Sequence, residues 1–254
     1  MPEFLTGKHA VVTGGGKGIG ASVARALHRS GASVTVMGRD AGALQEIAVE
    51  IDAQPISVDL TDPDSARRAF EDAAKLGGTI DILVNNVGAA ESAPFERTTH
   101  EIWERMILLN MTVAFTCSGL VAPSMKHRGF GRIINVASTA SLKGYSYTTA
   151  YCAAKHGLLG LTRALAVETA RQGITVNAVC PGFTETELLA RSVQTIMDAT
   201  GRTAEQARED LMKTNPQKRF IRPEEVAAAV LWLCSEAAAG VTGQAIAVDG
   251  GETF

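Results

Sequence analysis

The chain has 254 residues, 46% of them hydrophobic and 20% charged, with a formal net charge of −3. That length and apolar content suffice for a large core in one α/β domain, expected over 1–254, and the near-neutral balance carries no nucleic-acid footprint. Scattered cysteines (Cys117, Cys152, Cys180, Cys234) and histidines give no metal pattern, and neither a secretory signal nor an apolar run of membrane length is read, so a cytoplasmic protein with buried thiols and no metal, membrane or nucleic-acid partner is expected.

Short β-branched runs alternate with helical patterns along the chain. Strands are expected at 8–13, 33–37, 55–58, 80–85, 131–138, 174–179 and 244–248. Helices are expected at 18–30, 41–50, 64–76, 99–126, 150–171, 185–213 and 223–235, with Gly31 closing the first and Thr203 capping a helical stretch inside the sixth. Continuous apolar strands between helices predict a Rossmann-type, doubly wound parallel sheet of about seven strands with helices on both faces. Ligands of such sheets lie beyond the carboxyl ends of the strands.

The segment "TGGGKGIG" (13–20) joins the first strand to the first helix. Gly14, Gly16, Gly18 and Gly20, with Ile19, are placed where backbone approaches a pyrophosphate and a helix N-terminus supplies N–H donors. The spacing departs from GxGxxG, and no Ser/Thr follows Lys17, which disfavours a P-loop. At the end of the second strand, Gly38 stands where an NAD site usually has a carboxylate, and Arg39 follows. Lys17 and Arg39 would pair with a 2′-phosphate, favouring NADP(H) over NAD(H); the lesser alternative is that both are solvated loop charges, and Asp40 could turn inward. Asp59 and Leu60 end the third strand, where an adenine could be held. Asn86 and Gly88 form a tight turn after the fourth.

A ketone reduction needs a hydride and a proton. A nicotinamide supplies the hydride, so the protein must orient it and donate the proton. Tyr151 and Lys155 are spaced i,i+4 on one helix face, and a nearby ammonium favours the phenolate. Ser138 ends the adjacent strand, where its hydroxyl can hold the substrate oxygen. Without a cofactor these would be two polar helix residues and a capping serine.

With "TGGGKGIG", "NNVG" (85–88), Asn110 in "LLN", Ser138 in "NVAS", "YCAAK" (151–155) and "PGFTET" (181–186), the sequence resembles the short-chain dehydrogenase/reductase family over essentially its whole length. Val87 departs from the family's usual alanine. The resemblance implies Asn110 as a proton relay through a water, Pro181 and Gly182 at a cofactor turn, and Thr186, with Thr184 as substitute, at the nicotinamide carboxamide. It also implies a substrate lid at about 183–222 and a homotetramer joined through the helices at 99–126 and 150–171.

The lid is longer than in small reductases of 3-oxoacyl carrier proteins and closer in length to that of polyketide ketoreductases and 3-hydroxybutyrate dehydrogenases, while "ITVNAVCPGFTET" resembles the ketoreductases and 3-oxoacyl reductases. The 3-hydroxybutyrate dehydrogenases have a glutamine and a lysine where this chain has Ala90 and Thr148. Lys143 is either an anion contact or an exposed loop lysine. Lys126, His127, Arg128 and Arg171 would receive a phosphopantetheine or coenzyme A group, or form a solvated helix end. Leu142, Lys143, Tyr145 and Tyr147 are expected to face or flank the substrate. The implied activity is NADP(H)-dependent interconversion of a ketone and a secondary alcohol on a small carbonyl substrate, such as a CoA or carrier-protein 3-oxoacyl thioester. The alternatives are an NAD(P)-dependent secondary-alcohol or 3-hydroxyacyl-CoA dehydrogenase and a non-catalytic NADP(H)-binding protein.

Overall fold

A computed structural model describes residues 3–254; Met1 and Pro2, the start of the domain expected over 1–254, lie outside the described residues. Seven strands form one parallel sheet: β1 (His9–Thr13), β2 (Ser33–Gly38), β3 (Gln54–Ser57), β4 (Ile80–Asn85), β5 (Gly131–Val136), β6 (Ile174–Pro181) and β7 (Ala245–Val248). Their order, β3-β2-β1-β4-β5-β6-β7, reverses direction of growth between β1 and β4. Helices α1 (Gly18–Arg29), α2 (Ala41–Ile51), α3 (Pro63–Gly77), α4 (His100–Ile107), α5 (Val113–Arg128), α6 (Thr149–Thr169), α7 (Glu187–Thr200), α8 (Ala204–Met212) and α9 (Pro223–Cys234) connect and cover it.

Alternate residues of each strand enter different layers. Ala10 and Val12 of β1 join α1, α2 and α9 on one face through Leu27, Leu44 and Val230. Val11 joins α3 and α5 on the other through Phe70, Cys117 and Val121. Each fully buried leucine or phenylalanine contributes about 1.5–3 kcal/mol, so these two layers dominate the driving force. Cys117, Cys180 and Cys234 are buried as expected, whereas Cys152 is only half-buried beside Tyr151.

Three departures from the sequence expectations have local causes. The helix expected at 99–126 runs from His100 to Arg128 but is interrupted by a π turn, Leu108–Thr112, centred on Asn110. An 18-residue window within it has a mean hydropathy of 1.6, so it is, contrary to expectation, long and apolar enough by length and composition to cross a membrane; here it is the crossover between β4 and β5. The helix expected at 185–213 is two helices. Gly201 (φ 69°) ends α7 in the left-handed region, and Thr203 and Gln206 cap α8 reciprocally. Finally, Lys126, His127 and Arg128 end α5, and Arg171 follows α6, at the amino ends of β5 and β6. That edge of the sheet is opposite the strand ends where ligands bind. Arg128 is occupied there by the Ile80 carbonyl (2.7 Å) and Asp81 (3.3 Å). These cations therefore do not receive a thioester's phosphate.

Candidate active site

The chain leaves β1 at Thr13 and turns through Gly14 (φ 64°) into α1. A Cβ on Gly20 would stand 2.2 Å from the Gly14 carbonyl oxygen and 2.6 Å from Asn86 Nδ2, so no side chain fits. Asn86 braces this loop from the end of β4: its Nδ2 donates to the Thr13 and Gly14 carbonyls at 3.1 Å, and its N–H donates to Thr13 Oγ1 at 2.9 Å. The first turn of α1 has neither a side-chain cap nor an acidic residue. Its free N–H groups and positive dipole end, beside a glycine-lined turn, fit a pyrophosphate.

Beyond the cradle, Ser138 follows β5 in extended backbone, and its Oγ accepts from the Ala140 N–H at 3.1 Å. Tyr151 and Lys155 lie one turn apart on α6, with Lys155 Nζ 5.8 Å from the Tyr151 ring centroid. Lys155 is 4% exposed and donates to the Val136 carbonyl at 2.9 Å. Gly88 lies between this lysine and Asn110: a Cβ there would be 2.8 Å from Asn110 Oδ1 and 3.5 Å from Lys155 Nζ. Asn110 is fixed by the π turn. Its Nδ2 donates to the Ala89 and Met106 carbonyls at 2.8 and 3.0 Å, and its Oδ1 accepts from the Ala89 N–H at 3.3 Å. A π turn displaces one helical hydrogen bond and is a recurrent feature of functional sites. The structure thus brings Asn110, Ser138, Tyr151 and Lys155 to the carboxyl edge of β4 and β5, next to the cradle at the end of β1.

Residues 14–253 match the family model described as Enoyl-(Acyl carrier protein) reductase. D-beta-hydroxybutyrate dehydrogenase of Cupriavidus necator is 39% identical over 254 residues, covering 98% of each protein. The chain belongs to the short-chain dehydrogenase/reductase family. A second relative in this family, Granaticin polyketide synthase putative ketoacyl reductase 1 of Streptomyces violaceoruber, is 39% identical over 95% of this chain and 92% of its own. Among solved structures, an actinorhodin polyketide ketoreductase with NADPH superposes with a TM-score of 0.94 at 34% identity, covering 100% of this chain and 99% of that one.

The electrostatics of this short-chain dehydrogenase/reductase correct one expectation. Desolvation pushes the Tyr151 phenol up to about 12, with the Ser138 hydroxyl pulling the other way. Desolvation also brings Lys155 down to about 8. Burial outweighs any lowering of the phenol by the lysine, because the lysine is itself short of water to sustain its charge. The phenol is therefore protonated at neutral pH.

The cofactor-side residues divide. Gly182 N–H donates to the Val248 carbonyl (3.1 Å) after Pro181, and Thr184 Oγ1 donates back to Gly182 (2.9 Å). Thr186 Cγ2 would stand 3.1 Å from a Cβ on Gly18, so the segment leading into α7 begins directly over the cradle. Gly16 packs on α2 at Ala43, and Ile19 packs on the α1-side core. Leu60 is buried with Val11 and Met37, leaving Asp59 exposed at the end of β3, bonded to Thr61. Arg39 is exposed. Lys17 is not free: Nζ lies 3.0 Å from Asp40 and 3.3 Å from Glu187. Asp40 caps α2 by accepting from the Ala43 N–H (3.1 Å), which holds its other oxygen toward the lysine.

On the substrate side, Tyr145 meets Phe183 edge-on, with ring centroids 6.2 Å apart. Tyr147 is exposed, with φ 66°. The sequence reading missed Glu252, a buried carboxylate that gathers Lys143, Tyr145 and Thr214. Its only sequence signal is an acidic residue in the glycine turn "VDGGET", at the carboxyl end of β7.

Proposed function

We propose that the protein is an NADP(H)-dependent oxidoreductase that interconverts a ketone and a secondary alcohol, reducing a 3-oxoacyl thioester or similar β-keto compound. The convergence of Tyr151, Lys155, Ser138 and Asn110 beside the glycine cradle carries this reading. The bound nicotinamide supplies the hydride. The N–H groups at the start of α1, with Gly14, Gly16, Gly18, Ile19 and Gly20, bind the pyrophosphate. Arg39 and Lys17 take the 2′-phosphate, Lys17 exchanging Asp40 or Glu187 for it, and Asp59 lies at the adenosine end. Pro181, Gly182, Thr184 and Thr186 hold the nicotinamide end. Ser138 Oγ holds the carbonyl oxygen, and Tyr151 Oη gives it a proton. Lys155 binds the ribose, and its charge favours the phenolate left behind. Asn110 holds a water that returns protons to Lys155. Asn86 and Gly88 keep these two groups of residues in register.

Relatives named for 3-oxoacyl-[acyl-carrier-protein] and acetoacetyl-CoA reduction, at 35% and 37% identity, support the β-keto class. The Lys17–Asp40 pair favours a second reading, an NAD(P)-dependent dehydrogenase acting on a secondary alcohol, because of the two cations only Arg39 has no ion pair among the described residues. Initial rates with NADPH and NADH on acetoacetyl-CoA test the cofactor assignment. The reading expects a marked NADPH preference, and a preference for NADH would overturn it.

Phe115 and Val167, on α5 and α6, are 62% and 81% exposed, and Trp103 on α4 is 41% exposed. Apolar side chains so placed support the further proposal of a homotetramer paired through these helices. A cytoplasmic location is proposed on the free cysteines alone.

A further inference from the structure

Glu252 is 7% exposed and is bonded to the loop that follows Ser138. Its Oε1 accepts from the Tyr145 hydroxyl at 2.6 Å and from Thr214 Oγ1 at 3.0 Å, and lies 3.1 Å from Lys143 Nζ. Lys143 Nζ also donates to the Glu252 backbone carbonyl (3.2 Å) and stands 4.9 Å from the Tyr145 ring centroid. Tyr145 in turn bonds the hydroxyl of Thr139, the residue after Ser138, at 2.6 Å. The second oxygen, Oε2, has no donor among the described residues and lies 3.3 Å from where a Gly182 Cβ would stand. One carboxylate thus joins the loop after Ser138, the end of the lid helix α8 and the turn after β6.

Lys143 is the one cation in the loop between Ser138 and Tyr151, and its backbone N–H bonds the Thr139 carbonyl. As the cation of the loop that carries Ser138 at its start, it is the group that would meet a negative charge carried two or three bonds from a carbonyl held by Ser138. The protein's own carboxylate already satisfies it. We infer that Glu252 is a specificity-determining positioning residue: by occupying Lys143 it makes the site refuse small free 3-oxo acids and accept their neutral esters and thioesters. This deepens the proposed function and rests on it for where the carbonyl sits. A substrate carboxylate would have to compete with an intramolecular partner, and any unpaired fraction would face the buried charge of Glu252. A neutral ester meets neither obstacle.

Glu252→Gln tests this, because the amide preserves an acceptor for Tyr145 and Thr214 while releasing Lys143. Two probes, acetoacetate and ethyl acetoacetate, are compared with NADPH. The acid-to-ester ratio of kcat/KM should rise about tenfold, ~1.4 kcal/mol. Lys143→Met in the same background should return the ratio to the wild-type value. Binding of acetoacetate to the NADPH-loaded protein, measured by calorimetry, gives the same comparison without turnover: about tenfold tighter in Glu252→Gln, and not in the double variant. Parallel losses on both probes, an unchanged ratio, or a gain that survives Lys143→Met would overturn the inference. Failure of the wild type to reduce either the ester or acetoacetyl-CoA would overturn the proposed function instead, and the calorimetric comparison would still decide the role of Glu252.

Discussion

At the scale of single residues, chemistry determines which positions could be read without a structure. Tyr151, Lys155 and Ser138 are recognisable because proton transfer to a carbonyl needs those groups, at an i,i+4 spacing and a strand end. Their protonation was not legible, because it depends on how much water the fold removes. With Lys155 brought down to about 8, the lysine is charged below that pH and loses its proton above it. The reductive kcat/KM should therefore fall as pH rises through about 8, and Lys155→Arg, which keeps its charge, should remove that limb while lowering the rate. A flat wild-type profile from pH ~6 to ~10 would contradict this. Glu252 was invisible for a different reason: its partners Lys143, Tyr145 and Thr214 are 109, 107 and 38 positions away, and no local pattern marks them.

At the scale of elements, strands and helices followed from hydrophobic period and caps, and most ends agree with the expected ones to within two residues. The exceptions are informative. The π turn at Leu108–Thr112 keeps the helical period on both sides, so nothing in the apolar pattern announces it. The break at Gly201 was written in the sequence as a glycine followed by a threonine cap, and α7 and α8 divide there. Strand β1 contains a titratable group outside the site. His9 is 2% exposed, with Nδ1 2.9 Å from the Gly78 carbonyl and Nε2 2.9 Å from Thr35 Oγ1. Desolvation lowers its pKa below 6.5, against smaller opposing effects of Gly78 and Asp81. The unfolded chain then binds a proton that the folded imidazole refuses, so this residue's share of stability is present above 6.5 and lost as pH falls below it. Urea midpoints at pH about 7.5 and about 5.5 should drop for the wild type, and the drop should be smaller in His9→Gln. An equal drop in both would show that other groups carry it.

At the scale of the whole molecule, alternation of strand and helix was enough to place the functional side chains on one edge of a parallel sheet. It also placed Arg128 and Arg171 on the other, a consequence that composition and charge runs hide. Assembly belongs to this scale. Light scattering should give four copies per particle, and Phe115→Arg with Val167→Glu should yield smaller species; a monomeric wild type would contradict the pairing of α5 and α6. The central claim is that the cradle after β1 and the tyrosine on α6 act as one site, and Tyr151→Phe tests it most directly. NADPH binding, followed by cofactor fluorescence, should stay within about threefold of the wild type while kcat/KM for acetoacetyl-CoA reduction falls by about 10³. Tyr151→Phe protein that binds NADPH normally and still reduces the ketone at near wild-type rate would contradict the account.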